Sequence, residues 1–116
     1  MYNYIPHPSN FGKLSMVTPL LIEEGHPGYG IYWLVLELLR DCPDYRIGNN
    51  EKSIAWSIHC NDVDLVCRVL HNYGLFDVDD DGLLFSPWLC QQMGAYDERK
   101  KKLQEAGRRG AAKRFA

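Results

Sequence analysis

Residues 60–85 read CNDVDLVCRVLHNYGLFDVDDDGLLF, and this stretch decides the fold class. It opens with a tight connection in which Asn61 or Asp62 is expected to cap a helix. Gly74 stands where a glycine commonly ends a helix. Between these points the apolar residues follow the spacing of one helical face, namely Val66, Val69, Leu70 and Tyr73. The sequence therefore predicts a short helix over residues 62–73.

The second part of this stretch predicts a β-hairpin. Residues 75–78 and 83–85 have the composition of short strands, and they flank an Asp-Gly turn within 79–82. Another short helix is predicted upstream, over residues 51–59. Two helices joined by a tight turn and followed by a hairpin make a helix-turn-helix with a wing. We therefore expect a mainly α-helical winged helix with a small β-hairpin.

Upstream, the strongest apolar stripe of the chain predicts a central helix. Its members are Ile31, Leu34, Val35, Leu38 and Leu39. Pro43 is expected to end this helix, and a short strand is predicted at 45–47. A first, shorter helix is expected from about Leu14 to Gly25, with a start at Pro19 as the alternative, and a turn over residues 26–30 follows it.

We expect the residues around this turn to be architectural. Gly28 and Gly30 would permit the turn and a close approach to the central helix, so a β-branched residue at Gly30 should destabilise the fold. Tyr29, Tyr32 and Trp33 are expected to supply packing area, with an aromatic partner surface as the alternative.

A last, long helix is predicted after Ser86, which is expected to cap it. Its apolar edge consists of Leu89, Met93 and Tyr96. Gly107 and Gly110 weaken any helix further on, and we expect residues 107–116 to be mobile. The chain therefore divides into a winged-helix domain, residues 1–96, and a basic helix extension that serves as a mobile tail or linker, residues 97–116. We call these two parts the body and the extension.

The net charge of −2 at pH 7 conceals a strong asymmetry between these parts. The body carries 5 basic and 12 acidic side chains, a net charge of −7. The extension carries 8 basic and 3 acidic side chains, a net charge of +5. The extension is therefore the part expected to contact polyanions.

The predicted recognition helix is poorly suited to reading bases. It offers Arg68, but Asp62 and Asp64 lie near the end that would enter the major groove, and four aspartates lie in or next to the wing. Arg68 is therefore the weaker DNA-binding candidate. The stronger candidates are the basic residues of the extension: Arg99, Lys100, Lys101, Lys102, Arg108, Arg109, Lys113 and Arg114. Two alternatives stay open for these residues, a solvated helix end and a linker to a second domain.

The sequence predicts no metal, cofactor or catalytic site. Residues 77–82 match the first half of an EF-hand loop, but Trp88 occupies the position of the bidentate glutamate. Cys67 and His71 lie one helical turn apart, without the second pair of ligands that zinc sites use. No acid at motif spacing would orient them for nucleophilic catalysis. We therefore predict that the protein is not an enzyme and takes no small-molecule substrate.

The N-terminus and the length of the apolar runs predict a cytoplasmic, soluble protein. The chain starts without the pattern of a signal peptide and has no apolar run long enough to cross a membrane. The four cysteines are therefore expected to be free buried thiols: Cys42, Cys60, Cys67 and Cys90.

Several motifs resemble an N-terminal domain found in phage and prophage replication proteins. They include Tyr4-Ile5-Pro6-His7, Gly25-His26-Pro27-Gly28-Tyr29-Gly30-Ile31-Tyr32-Trp33 and Gly74-Leu75-Phe76. Tyr96 with the basic residues after it, and Gly107-Arg108-Arg109-Gly110, extend the resemblance over nearly the whole chain. This domain is similar to the N-terminal winged-helix domain of DnaD-like primosome and replisome-organiser proteins.

The resemblance implies a winged helix with a role in replication initiation or helicase loading, and in DnaD itself this domain serves self-assembly. We therefore expect a DNA-replication protein of a phage or other mobile element that acts in replisome assembly. Its expected partners are replication proteins or a second copy of itself, with non-specific DNA contact through the extension. Two alternatives are an assembly module without DNA contact and a sequence-specific transcription regulator. Salt dependence of DNA binding separates the first two.

Overall fold

The structure is a computed structural model that describes the backbone of residues 4–114 and the side chains of residues 4–107. Within that range the chain forms four α-helices and three short strands. The helices are α1 (Thr18–Arg40), α2 (Glu51–Ser57), α3 (Val63–His71) and α4 (Pro87–Arg114). The strands are β1 (Ile47–Gly48), β2 (Asp77–Val78) and β3 (Leu83–Phe85). The expected mainly helical fold with a small amount of sheet is confirmed.

Helix α1 contains both of the predicted upstream helices, joined at a kink. Gly25 lies at the kink with φ 66° and ψ −158°, a backbone conformation that only glycine adopts readily. Pro27 falls in the first turn after the kink, where its missing N–H leaves no hydrogen bond unmade. Residues 26–30 are therefore helical, and the turn predicted there is wrong.

The three strands form one antiparallel sheet in the order β1-β3-β2. The predicted hairpin is confirmed as the pair β2 and β3, in which Val78 lies opposite Leu84. Strand β1 adds to the other edge of β3, with Ile47 opposite the same Leu84. Gly82 has φ 77° in the hairpin turn, as an Asp-Gly turn requires.

Helix α1 is central to the core. Four completely buried side chains of α1 share one core cluster with buried side chains from every other helix and from β3. Those of α1 are Tyr32, Val35, Leu36 and Leu39, and the others are Ile54, Val66, Leu70, Leu84, Leu89 and Met93. Phe11 and Val17, from the segment before α1, are also completely buried. Residues 4–17, here called the N-terminal segment, therefore contribute to the core of the body.

Side chains cap three of the helices. The Asn50 carboxamide oxygen accepts a hydrogen bond from the Ser53 N–H at the start of α2. The carboxylate of Asp62 accepts one from the Leu65 N–H at the start of α3, which selects Asp62 over Asn61 as the predicted cap. The Ser86 hydroxyl accepts one from the Leu89 N–H, so the predicted cap of α4 is confirmed.

Helix α4 is longer than the sequence suggests. It continues through Gly107 and Gly110 to Arg114, so the weakening expected at these glycines does not end it. Residues 115–116 lie outside the described residues. Leu89 and Met93 are completely buried, whereas every described side chain after Tyr96 is exposed. The helix is therefore packed in the body and solvated along the extension.

The four cysteines are free, as expected, but each is only partly buried: Cys42, Cys60, Cys67 and Cys90. The expectation that they are buried thiols is therefore corrected. Even this partial burial raises the pKa of the Cys42, Cys67 and Cys90 thiols, which keeps them protonated at neutral pH.

Candidate nucleic-acid interface

Helix α3, the predicted recognition helix, has its one arginine engaged within the protein. The Arg68 Nε donates to the Glu24 Oε2 at 2.7 Å, and the Glu24 side chain is only 10% exposed. The hydrogen bond from Arg68 holds the pKa of Glu24 below its usual value. Just after the end of α3, the Tyr73 hydroxyl donates to the Glu23 carboxylate at 3.0 Å. Arg68 therefore ties α3 to the first segment of α1.

The hairpin presents acidic side chains. Asp77, Asp80 and Asp81 are exposed, and the Asp79 carboxylate accepts hydrogen bonds from the N–H groups of Asp81 and Leu83 within the turn. Arg46 balances one of these charges, with its guanidinium 3.4 Å from the Asp79 carboxylate and 4.1 Å from the centre of the Phe85 ring. The hairpin tip is therefore a surface that repels phosphate.

The extension has the opposite character. Arg99, Lys100, Lys101 and Lys102 are all exposed, and the ion pairs recorded among residues 4–107 involve none of them. As a helix, the 18 residues from 97 to 114 span about 27 Å. Four further candidates lie on the same helix, although their side chains fall outside the described residues: Arg108, Arg109, Lys113 and Arg114.

A cluster of side chains fixes the point where the extension leaves the body. The Tyr45 hydroxyl donates to the Asp97 carboxylate at 2.6 Å. Partial burial, together with this hydrogen bond, raises the pKa of Tyr45 to about 12. The Arg40 guanidinium lies 5.6 Å from the Tyr45 ring centre and 5.7 Å from that of Tyr96, within the range of a cation–π contact. The direction of the extension is therefore set by the body.

Most of the body matches one family of domains. Residues 4–89 match the family model described as Lin1244/Lin1753-like, N-terminal. The chain belongs to this family. No curated protein and no solved structure matches the chain. The family match stops before Tyr96 and the extension, so it is shorter than the resemblance that the sequence motifs indicated.

The motif Gly28-Tyr29-Gly30 lies in the second segment of α1, the part that follows the kink at Gly25. A Cβ on Gly28 would lie 2.4 Å from the Glu24 Cβ and 3.3 Å from the Leu20 side chain, so the two segments of α1 meet there without room for a side chain. A Cβ on Gly30 would meet nothing within 4 Å. The close approach expected at both glycines is therefore found at Gly28, and the close approach expected at Gly30 is wrong.

The aromatic residues of the same motif pack against the N-terminal segment. Tyr32 is completely buried, and burial raises its pKa to about 12. The Trp33 ring stacks on the His7 ring at a centroid distance of 4.0 Å, and the Tyr29 hydroxyl lies 3.2 Å from the His7 Nε2. Gly74, with φ 66°, follows α3 and turns the chain toward β2. These contacts give the motif an architectural role.

The residues considered for a metal site do not assemble into one. His71 lies 2.8 Å from the Glu51 carboxylate instead of facing a second cysteine or histidine. Among the described residues no three His, Cys, Asp or Glu side chains converge. Over the same part of the chain no helix combines the length and the apolar character needed to cross a membrane.

The side-chain contacts of the candidate site that the sequence did not indicate join residues far apart in the chain. Glu24 and Arg68 are 44 residues apart, and Tyr45 and Asp97 are 52 residues apart. The body's excess of acidic residues was visible in the sequence, and so was the basic extension. The pairing of individual charges depends on the fold and left no signal in the sequence.

Proposed function

We propose that this chain is a winged-helix module of the DNA-replication machinery of a phage or other mobile element. It acts in replisome or primosome assembly and contacts DNA non-specifically through its extension. The observation that carries the DNA contact is the separation of charge: the body has a net charge of −7 and the extension one of +5. The replication role rests on the resemblance of its motifs to phage replication proteins.

The order of elements supports the winged-helix assignment. A helix and a strand precede the two short helices α2 and α3, and the hairpin follows them. Strand β1 pairs with the second hairpin strand, which gives the sheet order β1-β3-β2 that a winged helix has. In this interpretation α3 is the second helix of the helix-turn-helix and the hairpin is the wing.

The body is the poorer of the two candidate DNA surfaces. Arg68 would have to give up its hydrogen bond to Glu24 before it reached a base edge, and Asp62 and Asp64 precede it on α3. The exposed wing aspartates would then face the phosphate backbone. Sequence-specific regulation of transcription is therefore disfavoured relative to contact by the extension.

An assembly role without DNA contact is the second candidate. Two large apolar side chains of the body are strongly exposed, Trp56 at 81% and Ile22 at 77%. Exposed aromatic residues are common at the centre of protein–protein interfaces. Trp56 on α2 is thus a natural anchor for a replication protein or a second copy of the chain.

Salt dependence tests which candidate is right. Fluorescence anisotropy with two unrelated duplexes should give similar, weak affinities, with Kd on the order of 10⁻⁴ to 10⁻⁶ M near physiological salt. The logarithm of the association constant should fall linearly with the logarithm of salt concentration, by about 0.9 per phosphate contacted. Absence of binding at low salt would reject DNA contact and leave the assembly module.

A further inference from the structure

A groove at the root of the extension combines aromatic and basic side chains. It is lined by Tyr4, Tyr96, Arg99, Lys100 and Leu103, and its volume is about 290 Å³. The Tyr4 side chain comes from the N-terminal segment, and the others come from α4. The groove therefore exists only where the body meets the extension.

The ring of Tyr4 is both exposed and held in place. It is 58% exposed, and its edge-to-face contact with the Tyr96 ring has a centroid distance of 5.4 Å. The backbone carbonyl of Tyr4 accepts a hydrogen bond from the Arg40 Nε at 3.2 Å. Because the ring is positioned before any ligand arrives, little conformational freedom is lost when a flat group stacks on it.

The charges around the ring favour an anionic ligand. Arg99 and Lys100 line the groove; of the two carboxylates that precede them on α4, Asp97 is hydrogen-bonded to the Tyr45 hydroxyl and Glu98 is exposed. Leu103, 74% exposed, lies one turn further along and adds apolar surface beside the ring. A stacking ring flanked by cations suits a chain of bases joined by phosphates.

We propose that this groove binds single-stranded nucleic acid, with one base stacked on Tyr4 and the adjacent phosphates on Arg99 and Lys100. This inference rests on the proposed DNA contact of the extension and adds a preference for single strands over duplex. The bases of a duplex are stacked on each other and cannot reach the ring, whereas an unpaired base is free to do so. Duplex DNA then uses the basic side chains only.

The test compares ligands and variants in one anisotropy series. The ligands are a labelled oligothymidylate of about 15 nucleotides, a duplex of the same length and an abasic strand with the same number of phosphates. The full chain is compared with Tyr4→Ala and Tyr4→Phe. Tyr4→Phe is the matched control, because it keeps the aromatic ring and removes only the hydroxyl group.

We expect oligothymidylate to bind more tightly than the duplex or the abasic strand. Tyr4→Ala should weaken oligothymidylate binding roughly tenfold, as loss of one stacked base does, and leave duplex and abasic binding unchanged. Tyr4→Phe should bind all three ligands as the unmodified chain does. Equal melting temperatures will show that Tyr4→Ala is folded, and the abasic strand tests stacking without any variant.

The other outcomes separate this inference from the proposed function. If oligothymidylate and the abasic strand bind the unmodified chain equally, no base stacks and the inference is wrong, although phosphate contact by the extension stands. The same conclusion follows if Tyr4→Ala binds oligothymidylate normally. If no oligonucleotide binds with a dependence on salt, both the inference and the DNA contact of the extension are rejected.

Discussion

The arginines of the body and the cations of the extension lie in opposite surroundings. In the body, Arg68 is paired with Glu24, Arg46 with Asp79, and Arg40 lies within cation–π distance of two tyrosine rings. In the extension, the four consecutive cations from Arg99 to Lys102 are exposed. The body arginines therefore hold elements together, whereas the cations of the extension remain available to a ligand.

This difference separates stability from binding. A substitution of Gly28 or of the paired Arg68 in the body should change the free energy of unfolding and leave duplex affinity alone, because the contacts of these residues lie within the body. A substitution in the extension should do the reverse. Variants of either part can therefore test this separation of roles.

Gly28→Ala should produce the largest loss of stability. The new methyl group would lie 2.4 Å from the Glu24 Cβ, so the two segments of α1 would have to move apart. Overpacking of this kind costs about 2–3 kcal/mol. Urea denaturation followed by circular dichroism should show a lower midpoint, and DNA affinity under native conditions should be unchanged. An unaltered midpoint would mean that α1 relaxes easily at its kink.

Neutralising the start of the extension should produce the largest loss of DNA affinity. The variant carries Arg99→Gln, Lys100→Gln, Lys101→Gln and Lys102→Gln, which keep good helix formers at exposed positions. Duplex affinity at low salt should fall on the order of tenfold or more, and the salt slope should flatten by about 0.9 for each phosphate that is no longer neutralised. Its melting temperature should stay close to that of the unmodified chain.

The matched control removes lysines from the body. Lys13→Gln with Lys52→Gln changes two exposed cations outside the extension, and both duplex affinity and salt slope should be retained. If this control lowers affinity as much as the four extension substitutions, the body carries the DNA contact and the separation of roles fails.

The ion pair between Arg68 and Glu24 should affect stability in a pH-dependent way. Folding lowers the pKa of Glu24, so the pair stabilises the protein above the ordinary carboxyl pKa, and this stabilisation disappears as pH falls through the folded value. Arg68→Ala and Glu24→Gln should therefore each destabilise the protein at pH 7, with a deficit that shrinks below about pH 4.3. Thermal melts across this pH range measure it.

Arg68 also tests the separation of stability from binding. Arg68→Ala should lower the melting temperature at pH 7 while leaving duplex affinity within about twofold, because its guanidinium is already engaged by Glu24. If Arg68→Ala lost DNA binding while the variant with the neutralised extension bound fully, α3 would be the part that contacts DNA.

The sequence predicted best those features that depend on neighbouring residues. Asp62 and Ser86 cap helices as their positions indicated, and the Asp-Gly turn forms the hairpin. Each is decided within about four residues, so a local pattern is sufficient. The charge of the extension could likewise be read directly, because it requires no knowledge of contacts.

The features that sequence reasoning missed depend on distant residues or on one backbone angle. Gly25 alone takes the positive φ that kinks α1, and its neighbours Pro27, Gly28 and Gly30 are equally typical of turns. The pairing of β1 with β3 joins segments more than 30 residues apart. The groove beside Tyr4 needs the N-terminal segment and α4 to meet, which no spacing along the chain indicates.

Gly30→Ala should produce the smallest effect, and one of opposite sign to that of Gly28→Ala. Gly30 lies inside a helix with open space where a Cβ would stand, so a methyl group meets no neighbour. Alanine loses less backbone entropy on folding than glycine, and the gain in a helix interior is about 0.5–1 kcal/mol. A raised denaturation midpoint for Gly30→Ala, measured beside a lowered one for Gly28→Ala, would place the close approach of α1 at Gly28. If Gly30→Ala destabilised the protein instead, the second segment of α1 would have to begin after Gly30 and not before it.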